Sequence, residues 1–225
     1  MKIDLKKYKT IVFDCDGVVL NSNQTKIDAY FAVAKKMGGT DAQAQAFVDH
    51  HVAKGSFPRN GKTEYYLTEI VKQPVTEATM QQYMQAFEDV LDVTLMECEI
   101  ATGLEALKAA TPHAKWMLLS GGDQAELRRI FPRRKLGNIS LEQLFDAGIF
   151  GGPDKKDDVL AREKLNGNLQ LPTLFIGDSK YDYQAASRAG LQFVFLSDWT
   201  EVSDWRAYCT ENKITALRNI SQLLA

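Results

Sequence analysis

Two carboxylates stand two residues apart directly after a short apolar run near the start of the chain. The run Ile11-Val12-Phe13 is rich in β-forming residues and predicts a buried strand, and Asp14 and Asp16 follow where that strand should end. In an open α/β sheet, ligands bind at the carboxyl ends of the strands. One carboxylate of such a pair can attack an electrophile while the other carries protons, and both can approach a hard cation such as Mg²⁺. An isolated pair of this kind is also typical of an ordinary turn, so the rest of the chain must decide between the two interpretations.

Two further apolar runs end in small, polar or acidic residues. Residues 116–119 lead into Ser-Gly-Gly at 120–122, and residues 173–176 lead into Gly-Asp-Ser-Lys-Tyr-Asp at 177–182. Parallel strands would place all of these ends at one edge of a sheet. Between them, Lys155 and Lys156 could bring positive charge to the same edge.

Phosphoryl transfer is the chemistry that needs this set of residues. A phosphate monoester dianion repels a carboxylate nucleophile, and Mg²⁺ held by Asp14 and Asp178, together with a lysine ammonium, would neutralise that repulsion. The Ser120 hydroxyl and neighbouring backbone N–H groups could hold phosphoryl oxygens, because the glycines there allow a close approach of the backbone.

The elements that would position these residues alternate between strand and helix after about residue 100. This alternation predicts a parallel sheet covered by helices on both faces. Residues 22–95 show helical patterns and no convincing strand, which indicates a second, all-helical domain inserted after the first strand. We expect a sheet domain from residues 1–20 and 97–225 and a helical domain from 21–96. Single elements expected within the sheet domain include a short strand over 145–150 and a closing helix over 214–224.

The four motifs together resemble the haloacid dehalogenase superfamily, on its Mg²⁺-dependent phosphatase side. They read DCDGVVLNSN, LLSGGD, GGPDKKD and IGDSKYD, in the order typical of that family, over positions 14 to 182. The phosphoglycolate phosphatase and β-phosphoglucomutase types are the most similar branches. The resemblance implies a Rossmannoid core with a helical cap inserted after the first strand.

The resemblance also implies individual roles. Asp14 would be the nucleophile that forms an aspartyl-phosphate, and Asp16 would protonate the leaving alcohol and later activate water. Mg²⁺ would be held by the Asp14 carboxylate, the Asp16 carbonyl and Asp178. Ser120 and the Gly121 N–H would hold the phosphate.

The resemblance also implies supporting roles for one lysine and for residues of the motif IGDSKYD. The spacing after Gly-x-Pro favours Lys156 over Lys155 as the lysine that faces the phosphate, with the other lysine solvated at a helix start. Asp182 would act through water or through hydrogen bonds to that lysine, and Ser179 would support the site from the same motif.

Other branches of the superfamily use parts of the same residue set. A dehalogenase has no need for Asp16 or Mg²⁺, whereas a phosphosugar mutase shares the aspartate pair and the cap and stays open. Phosphonatase-type members form an imine through a cap lysine, for which Lys54 and Lys62 are candidates by location, the alternative being an exposed lysine. A catalytically silent partner protein that keeps only the fold is a third hypothesis, because a fold alone does not establish function.

Substrate choice is expected to come from the cap stretch 50–62. Arg59 could pair bidentately with a substrate anion or could simply be solvated, and His51 could contact the substrate or pack. The stretch is similar to the cap segment of superfamily members associated with surface-sugar biosynthesis, although residues 57–60 depart from it. The expected ligand is a small phosphorylated metabolite, with a sugar or sugar-acid phosphate preferred.

Composition excludes several other classes of protein. The 225 residues carry a formal net charge of -2, which does not suggest a nucleic-acid or anionic-membrane partner. We find no apolar run of the roughly 18 residues that span a bilayer, and no apolar core of a signal peptide at the N-terminus. Three widely spaced cysteines are consistent with a reducing cytoplasm, where we expect the protein to reside as a monomer or a dimer.

Overall fold

The computed structural model describes residues 3–54 and 58–224. The chain forms two compact units. One unit, the sheet unit, comprises Met1–Asn23 and Glu99–Ala225, and the other, the helical insertion, comprises Gln24–Cys98.

A six-stranded parallel sheet forms the centre of the sheet unit in the described residues, with the strand order β5-β2-β1-β6-β7-β8. Its strands are β1 (Thr10–Phe13), β2 (Lys115–Asp123), β5 (Ile149–Gly152), β6 (Thr173–Gly177), β7 (Gln192–Leu196) and β8 (Thr215–Leu217). A short antiparallel hairpin joins β3 (Lys135–Leu136) to β4 (Ile139–Ser140). Because β1 lies between β2 and β6, the residues that follow β1 stand beside the ends of both neighbours.

Helices alternate with these strands. They are α5 (Leu104–Ala110), α6 (Gln124–Ile130), α7 (Lys156–Leu165), α8 (Lys180–Arg188) and α9 (Trp205–Glu211), with 3₁₀ turns at Leu5–Lys7, Leu141–Leu144 and Ile220–Leu224. All four residues of β1 are buried, as expected for a central strand covered on both faces.

The helical insertion contains α1 (Asn23–Lys36, whose first residue belongs to the sheet unit), α2 (Asp41–Lys54), α3 (Arg59–Tyr65) and α4 (Glu77–Glu97). A π-helical segment, Tyr66–Val71, follows α3 directly. The insertion has an aromatic core in which Tyr30 and Phe47 lie 4.9 Å apart and Phe47 stacks on Tyr66 at 4.2 Å. Burying each such side chain contributes about 1.5–3 kcal/mol.

The alternation of side chains along the strands gives each face of the sheet its own core. On one face, the Phe13 ring lies 4.4 Å from Trp116 and 5.8 Å from Phe145. On the other face, Val12 and Phe175 belong to a buried cluster. The described residues in it are Val12, Met117, Leu119, Ala147, Val159, Leu160, Leu169, Phe175, Ala185, Ala186 and Leu191. Both cores hold the central strands rigidly, and therefore also the residues at their ends.

The predicted fold class, a Rossmannoid parallel α/β sheet with an inserted helical block, is confirmed. The predictions of two single elements were wrong. The strand expected over 145–150 lies at Ile149–Gly152, and the closing helix expected over 214–224 is replaced by β8 and a 3₁₀ turn. Thr215–Leu217 pair in parallel with Val194–Leu196 of β7, and this ladder outweighs the helical pattern. Within the described residues, no helix combines the length and apolar character needed to cross a membrane.

Candidate active site

The Asp14 side chain stands at the carboxyl end of β1, next to the end of β6. Its backbone N–H donates to the Ile176 carbonyl at 2.9 Å, so the ladder between the two strands continues through Asp14. The chain then turns at Gly17, whose φ of +77° favours glycine. A Cβ at Gly17 would lie 2.0 Å from Oδ2 of Asp178, so the absent side chain also makes room for that carboxylate.

The motif after β6 is held by a reciprocal cap at the start of α8. The Ser179 hydroxyl accepts from the Asp182 N–H at 3.2 Å, and the Asp182 carboxylate accepts from the Ser179 N–H at 3.1 Å. Such a capping box fixes both side chains. Ser179 therefore lies at the site as a support for Asp182 and for the helix.

Lys156 is the lysine that the structure places among the carboxylates. Its Nζ donates to Oδ1 of Asp14 at 2.7 Å and also to Oδ1 of Asp182, and the residue is only 4% exposed. Lys155 occupies the N-cap position of α7, where its side chain makes no capping hydrogen bond, and it is exposed. The two hydrogen bonds are charge-assisted and hold Lys156 between β1 and α8.

The electrostatics of this group are dominated by burial and by the closeness of like charges. Burial and the neighbouring Asp182 raise the pKa of Asp14 to about 7, although Lys156 opposes the shift. Burial, Asp14 and Asp182 likewise raise the pKa of Asp178 well above its usual range. Burial alone would lower the pKa of Lys156, but Asp14 and Asp182 raise it, so the ammonium stays charged.

The same group fits a divalent cation. Asp14, Asp178 and Asp182 are buried and each offers one carboxylate oxygen, and these oxygens lie within 4.8 Å of one another. Hard oxygen donors are the ligands that Mg²⁺ prefers. A cation there would also relieve the repulsion that raises the pKa values of the carboxyl groups.

Asp16 is half-buried and is oriented by two hydroxyl groups. Ser22 Oγ donates to its Oδ1, and Ser120 Oγ lies 3.4 Å from its Oδ2. Ser120 itself accepts from the Gly122 N–H at 2.9 Å. The regular pairing of β2 with β5 is interrupted between Leu119 and Asp123, which sets Ser120 and the exposed Gly121 apart from the ladder.

The sequence analysis gave no role to three residues that contact Asp178 or Asp16. The Asn23 side chain donates to Asp178, the Thr200 hydroxyl donates to the Asp178 carbonyl, and Ser22 donates to Asp16 as described above. The signal for Ser22 and Asn23 was their place as the last two residues of the first motif. Thr200 lies in an irregular segment and carries no motif of its own.

The residues proposed for substrate choice lie in the helical insertion. Arg59 begins α3, and its guanidinium carbon lies 5.1 Å from the centre of the Phe87 ring. The His51 ring stacks on Tyr30 at 3.9 Å, and its Nδ1 accepts from Lys62 Nζ at 2.8 Å. Residues 55–57 of the same stretch lie outside the described residues.

Burial shapes the charges in this stretch. Burial and the cations Lys62, Arg59 and Lys26 lower the pKa of His51 to about 3, so the imidazole is neutral at pH 7. Burial and Arg59 lower the pKa of Lys62 to about 8. Lys62 is 2% exposed, so the interpretation as an exposed lysine was wrong for this residue, whereas Lys54 is exposed.

A parallel sheet with acidic residues and a buried lysine at its carboxyl edge defines a Rossmannoid protein whose ligand site lies at that edge. The model of the haloacid dehalogenase-like hydrolases matches residues 8–190. The chain belongs to the haloacid dehalogenase-like hydrolase family.

Comparison with single proteins agrees with this assignment. The phosphoglycolate phosphatase of Pseudomonas putida is 25% identical over 197 residues, which cover 84% of this chain and 69% of that protein. A solved structure from Haemophilus somnus, described as a predicted phosphoglycolate phosphatase, has a TM-score of 0.69 and 17% identity and covers 98% of both chains. A Thermotoga maritima structure with the provisional name β-phosphoglucomutase has a TM-score of 0.67 and 19% identity and covers 96% of both chains. The predicted superfamily, its phosphatase side and the assignment as an enzyme are confirmed.

Proposed function

We propose that the protein is a Mg²⁺-dependent phosphomonoesterase that acts through an aspartyl-phosphate. The observation that carries this proposal is the convergence of Asp14, Asp178 and Asp182 within 4.8 Å of one another, with the Lys156 ammonium bonded to two of them. Bound Mg²⁺ would neutralise charge on the carboxylates and on the phosphoryl group. Asp14, Asp178 and the Asp16 carbonyl would hold it, with Asp182 available beside them.

The first half-reaction transfers the phosphoryl group to the protein. A carboxylate oxygen of Asp14 attacks phosphorus, the bond from phosphorus to the ester oxygen breaks, and Asp16 donates its proton to the leaving alcohol. The hydroxyl of Ser22 holds the Asp16 carboxyl group in one orientation. Ser120 and the Gly121 N–H would bind phosphoryl oxygens at the edge of β2.

The second half-reaction hydrolyses the acyl phosphate. Asp16, now ionised, takes a proton from water, the water oxygen attacks phosphorus, and the bond to Asp14 breaks to release inorganic phosphate. Lys156 favours the ionised form of Asp14, which burial would otherwise disfavour, and so supports both the attacking and the regenerated carboxylate.

The proposed substrate is a small phosphorylated metabolite, with a sugar or sugar-acid phosphate preferred. The phosphoglycolate phosphatase name of the Pseudomonas putida relative supports a small acidic phosphate ester. Arg59 and His51 of the helical insertion remain the proposed specificity residues. A panel of sugar phosphates, phosphoglycolate and sialic-acid-type phosphates, read by inorganic phosphate release, would identify the class.

The proposal is tested with p-nitrophenyl phosphate and Mg²⁺. We expect hydrolysis that needs the cation and that falls by at least about 10³-fold in Asp14→Asn, because the nucleophile is lost. Asp158→Asn, which changes an exposed carboxylate on α7, is the matched control and should retain activity. Activity that survives Asp14→Asn would remove Asp14 from the mechanism.

The alternatives give different products. A phosphosugar mutase would move phosphate between positions of one sugar with little inorganic phosphate released, which phosphorus NMR would detect. A catalytically silent partner protein would bind Mg²⁺ and yet hydrolyse no member of a broad phosphate panel.

A further inference from the structure

Asn23, the first residue of α1, connects a proposed metal ligand to a distant segment. Its Nδ2 lies 2.9 Å from Oδ2 of Asp178 and 3.0 Å from the carbonyl oxygen of Trp199. Both partners are acceptors and a primary amide has two N–H bonds on this nitrogen, so each bond donates to one partner. The amide therefore has one preferred orientation, with its nitrogen towards Asp178.

Asp178 is held a second time through its backbone. The hydroxyl of Thr200 donates to the Asp178 carbonyl and accepts from the Val202 N–H at 3.1 Å. The segment after β7 therefore contacts the Asp178 backbone directly through Thr200. It is linked to the Asp178 carboxylate through the Asn23 amide, which bonds both Trp199 and Asp178. Asn23, Asp178 and Thr200 are each more than 20 residues apart in the sequence, so only the folded sheet unit brings them together.

The backbone at Gly17 also confines the Asp178 carboxylate and the Asn23 amide. A Cβ built on Gly17 would lie 2.0 Å from Oδ2 of Asp178 and 2.6 Å from Nδ2 of Asn23. Both atoms thus lie directly against the backbone of the turn that follows Asp14. This packing leaves the Asp178 carboxylate little freedom to rotate.

We propose that Asn23 is a positioning residue for the cation site: its amide holds Oδ2 of Asp178 and leaves Oδ1 for the metal ion. The inference rests on the proposed function for the identity of the ion, and it adds a residue to which neither the motifs nor the relatives' names assign a role. A carboxylate that must hold a cation is normally oriented by such an outer partner, and the loss of that partner typically weakens metal affinity 10- to 100-fold.

Direct metal binding tests the inference without the reaction. Mn²⁺, which binds oxygen-ligand sites and has an electron spin resonance signal in the free ion, is titrated into the full chain, and Mg²⁺ is then used to displace it. Asn23→Leu removes the donor at similar volume and should weaken Mn²⁺ binding by about 10-fold or more. Gln24→Ala is the matched control, because Gln24 is the next residue of α1 and its amide bonds only to Asp28 among the hydrogen bonds described, on the exposed surface.

Kinetics supply the second readout. In Asn23→Leu the Mg²⁺ concentration for half-maximal hydrolysis of p-nitrophenyl phosphate should rise about 10-fold or more, while kcat at saturating Mg²⁺ stays within about threefold of the unmodified protein. A general structural role for Asn23 would lower kcat and the thermal midpoint and leave metal affinity unchanged, and that result would overturn the inference. If the unmodified protein binds Mn²⁺ but hydrolyses nothing, the proposed function fails while the binding comparison still decides the role of Asn23.

Thr200→Val provides an independent variant if Asn23→Leu does not fold. It removes the hydroxyl that bonds the Asp178 carbonyl and keeps the side-chain shape. We expect Mn²⁺ binding to weaken about threefold or more, since the backbone of the same ligand is released. Unchanged affinity in a folded Thr200→Val, together with unchanged affinity in any folded Asn23 variant, would contradict the positioning role.

Discussion

Lys156 donates a hydrogen bond from Nζ to Oδ1 of Asp14 at 2.7 Å, and the two residues are 4% and 6% exposed. A buried ion pair of this kind adds little net stability compared with a well-packed apolar pair, because both charges have been removed from water. The removal of one partner is far more costly, since it leaves the other charge buried and unpaired. Lys156 therefore stabilises the carboxylates that the site needs.

Lys156→Met should destabilise the protein by about 3–5 kcal/mol and abolish hydrolysis. The variant leaves Asp14 and Asp182 without the ammonium that both contact. Chemical denaturation gives the free energy of unfolding, and p-nitrophenyl phosphate gives the activity. Lys155→Met, one residue earlier and exposed, should change stability by no more than about 0.5 kcal/mol and keep its activity. Equal effects of the two variants would contradict the structure.

Gly17→Ala should inactivate the enzyme through a steric effect. The new Cβ would lie 2.0 Å from the Asp178 carboxylate, at a residue whose φ is +77°. We expect metal affinity and activity to fall by at least about 10²-fold, because Asp178 must move. Gly167→Ala is the control, since Gly167 has a φ of +73° but its Cβ would meet nothing within 4 Å. That variant should lose only about 1 kcal/mol of stability and no activity.

Much of this fold could be predicted because buried parallel strands are continuous apolar runs. Residues 10–13, 173–177 and 192–196 are strands for this reason, and the polar residues that follow two of them meet at one edge of the sheet. β8 was missed because it is a half-buried edge strand of three residues, and only its pairing with β7 distinguishes it from a helix. The helix α9 was not predicted, because only Cys209 among its residues is buried and the helix therefore shows no apolar stripe.

The candidate site was predictable in its motif residues and unpredictable in its supporting contacts. Asp14, Asp178, Asp182 and Lys156 belong to motifs with fixed spacing, and the structure brings them together. Asn23 ends the first motif, but its contact with Asp178 spans 155 residues and no local pattern indicates that partner. The catalytic and metal-binding roles of the motif residues stay predictions that the variants above test.

The stability of the protein should fall with decreasing pH in a manner that depends on His51. Its folded pKa is lowered from 6.5 to about 3, so below pH 6.5 the unfolded chain binds a proton that the folded chain rejects. The contribution of neutral His51 to folding stability is therefore complete above about pH 6.5 and is lost as the pH falls towards 3. Protonation would also place a cation against the Lys62 ammonium that donates to Nδ1.

His51→Phe should reduce this acid sensitivity. Phe keeps a ring for stacking on Tyr30 and has no proton to bind. The difference in unfolding free energy between the variant and the unmodified protein should shift in favour of the variant by about 1 kcal/mol between pH 7.5 and pH 5, after allowance for partial exposure. Urea denaturation at both pH values measures it, with His113→Gln at an exposed position as the control. A pH-independent difference would show that His51 is protonated equally in both states.

Mg²⁺ should stabilise the folded protein, and Asp178→Asn should abolish that effect while making the metal-free protein more stable. Burial and the neighbouring charges of Asp14 and Asp182 raise the pKa of Asp178 well above its usual range, so the charge of its ionised form destabilises the fold. Asparagine removes this charge and can still accept from Asn23 through its side-chain carbonyl. Because a ligand that binds only the native state adds RT ln(1 + [L]/Kd), Mg²⁺ at 100 times its Kd should add about 2.7 kcal/mol to the unmodified protein and nothing to the variant. Thermal unfolding with EDTA and with Mg²⁺ measures both effects, and Asp158→Asn, which changes an exposed carboxylate on α7, serves as the control. Loss of stability in EDTA-treated Asp178→Asn would show that the Asp178 charge supports the fold, contrary to the repulsion argued here.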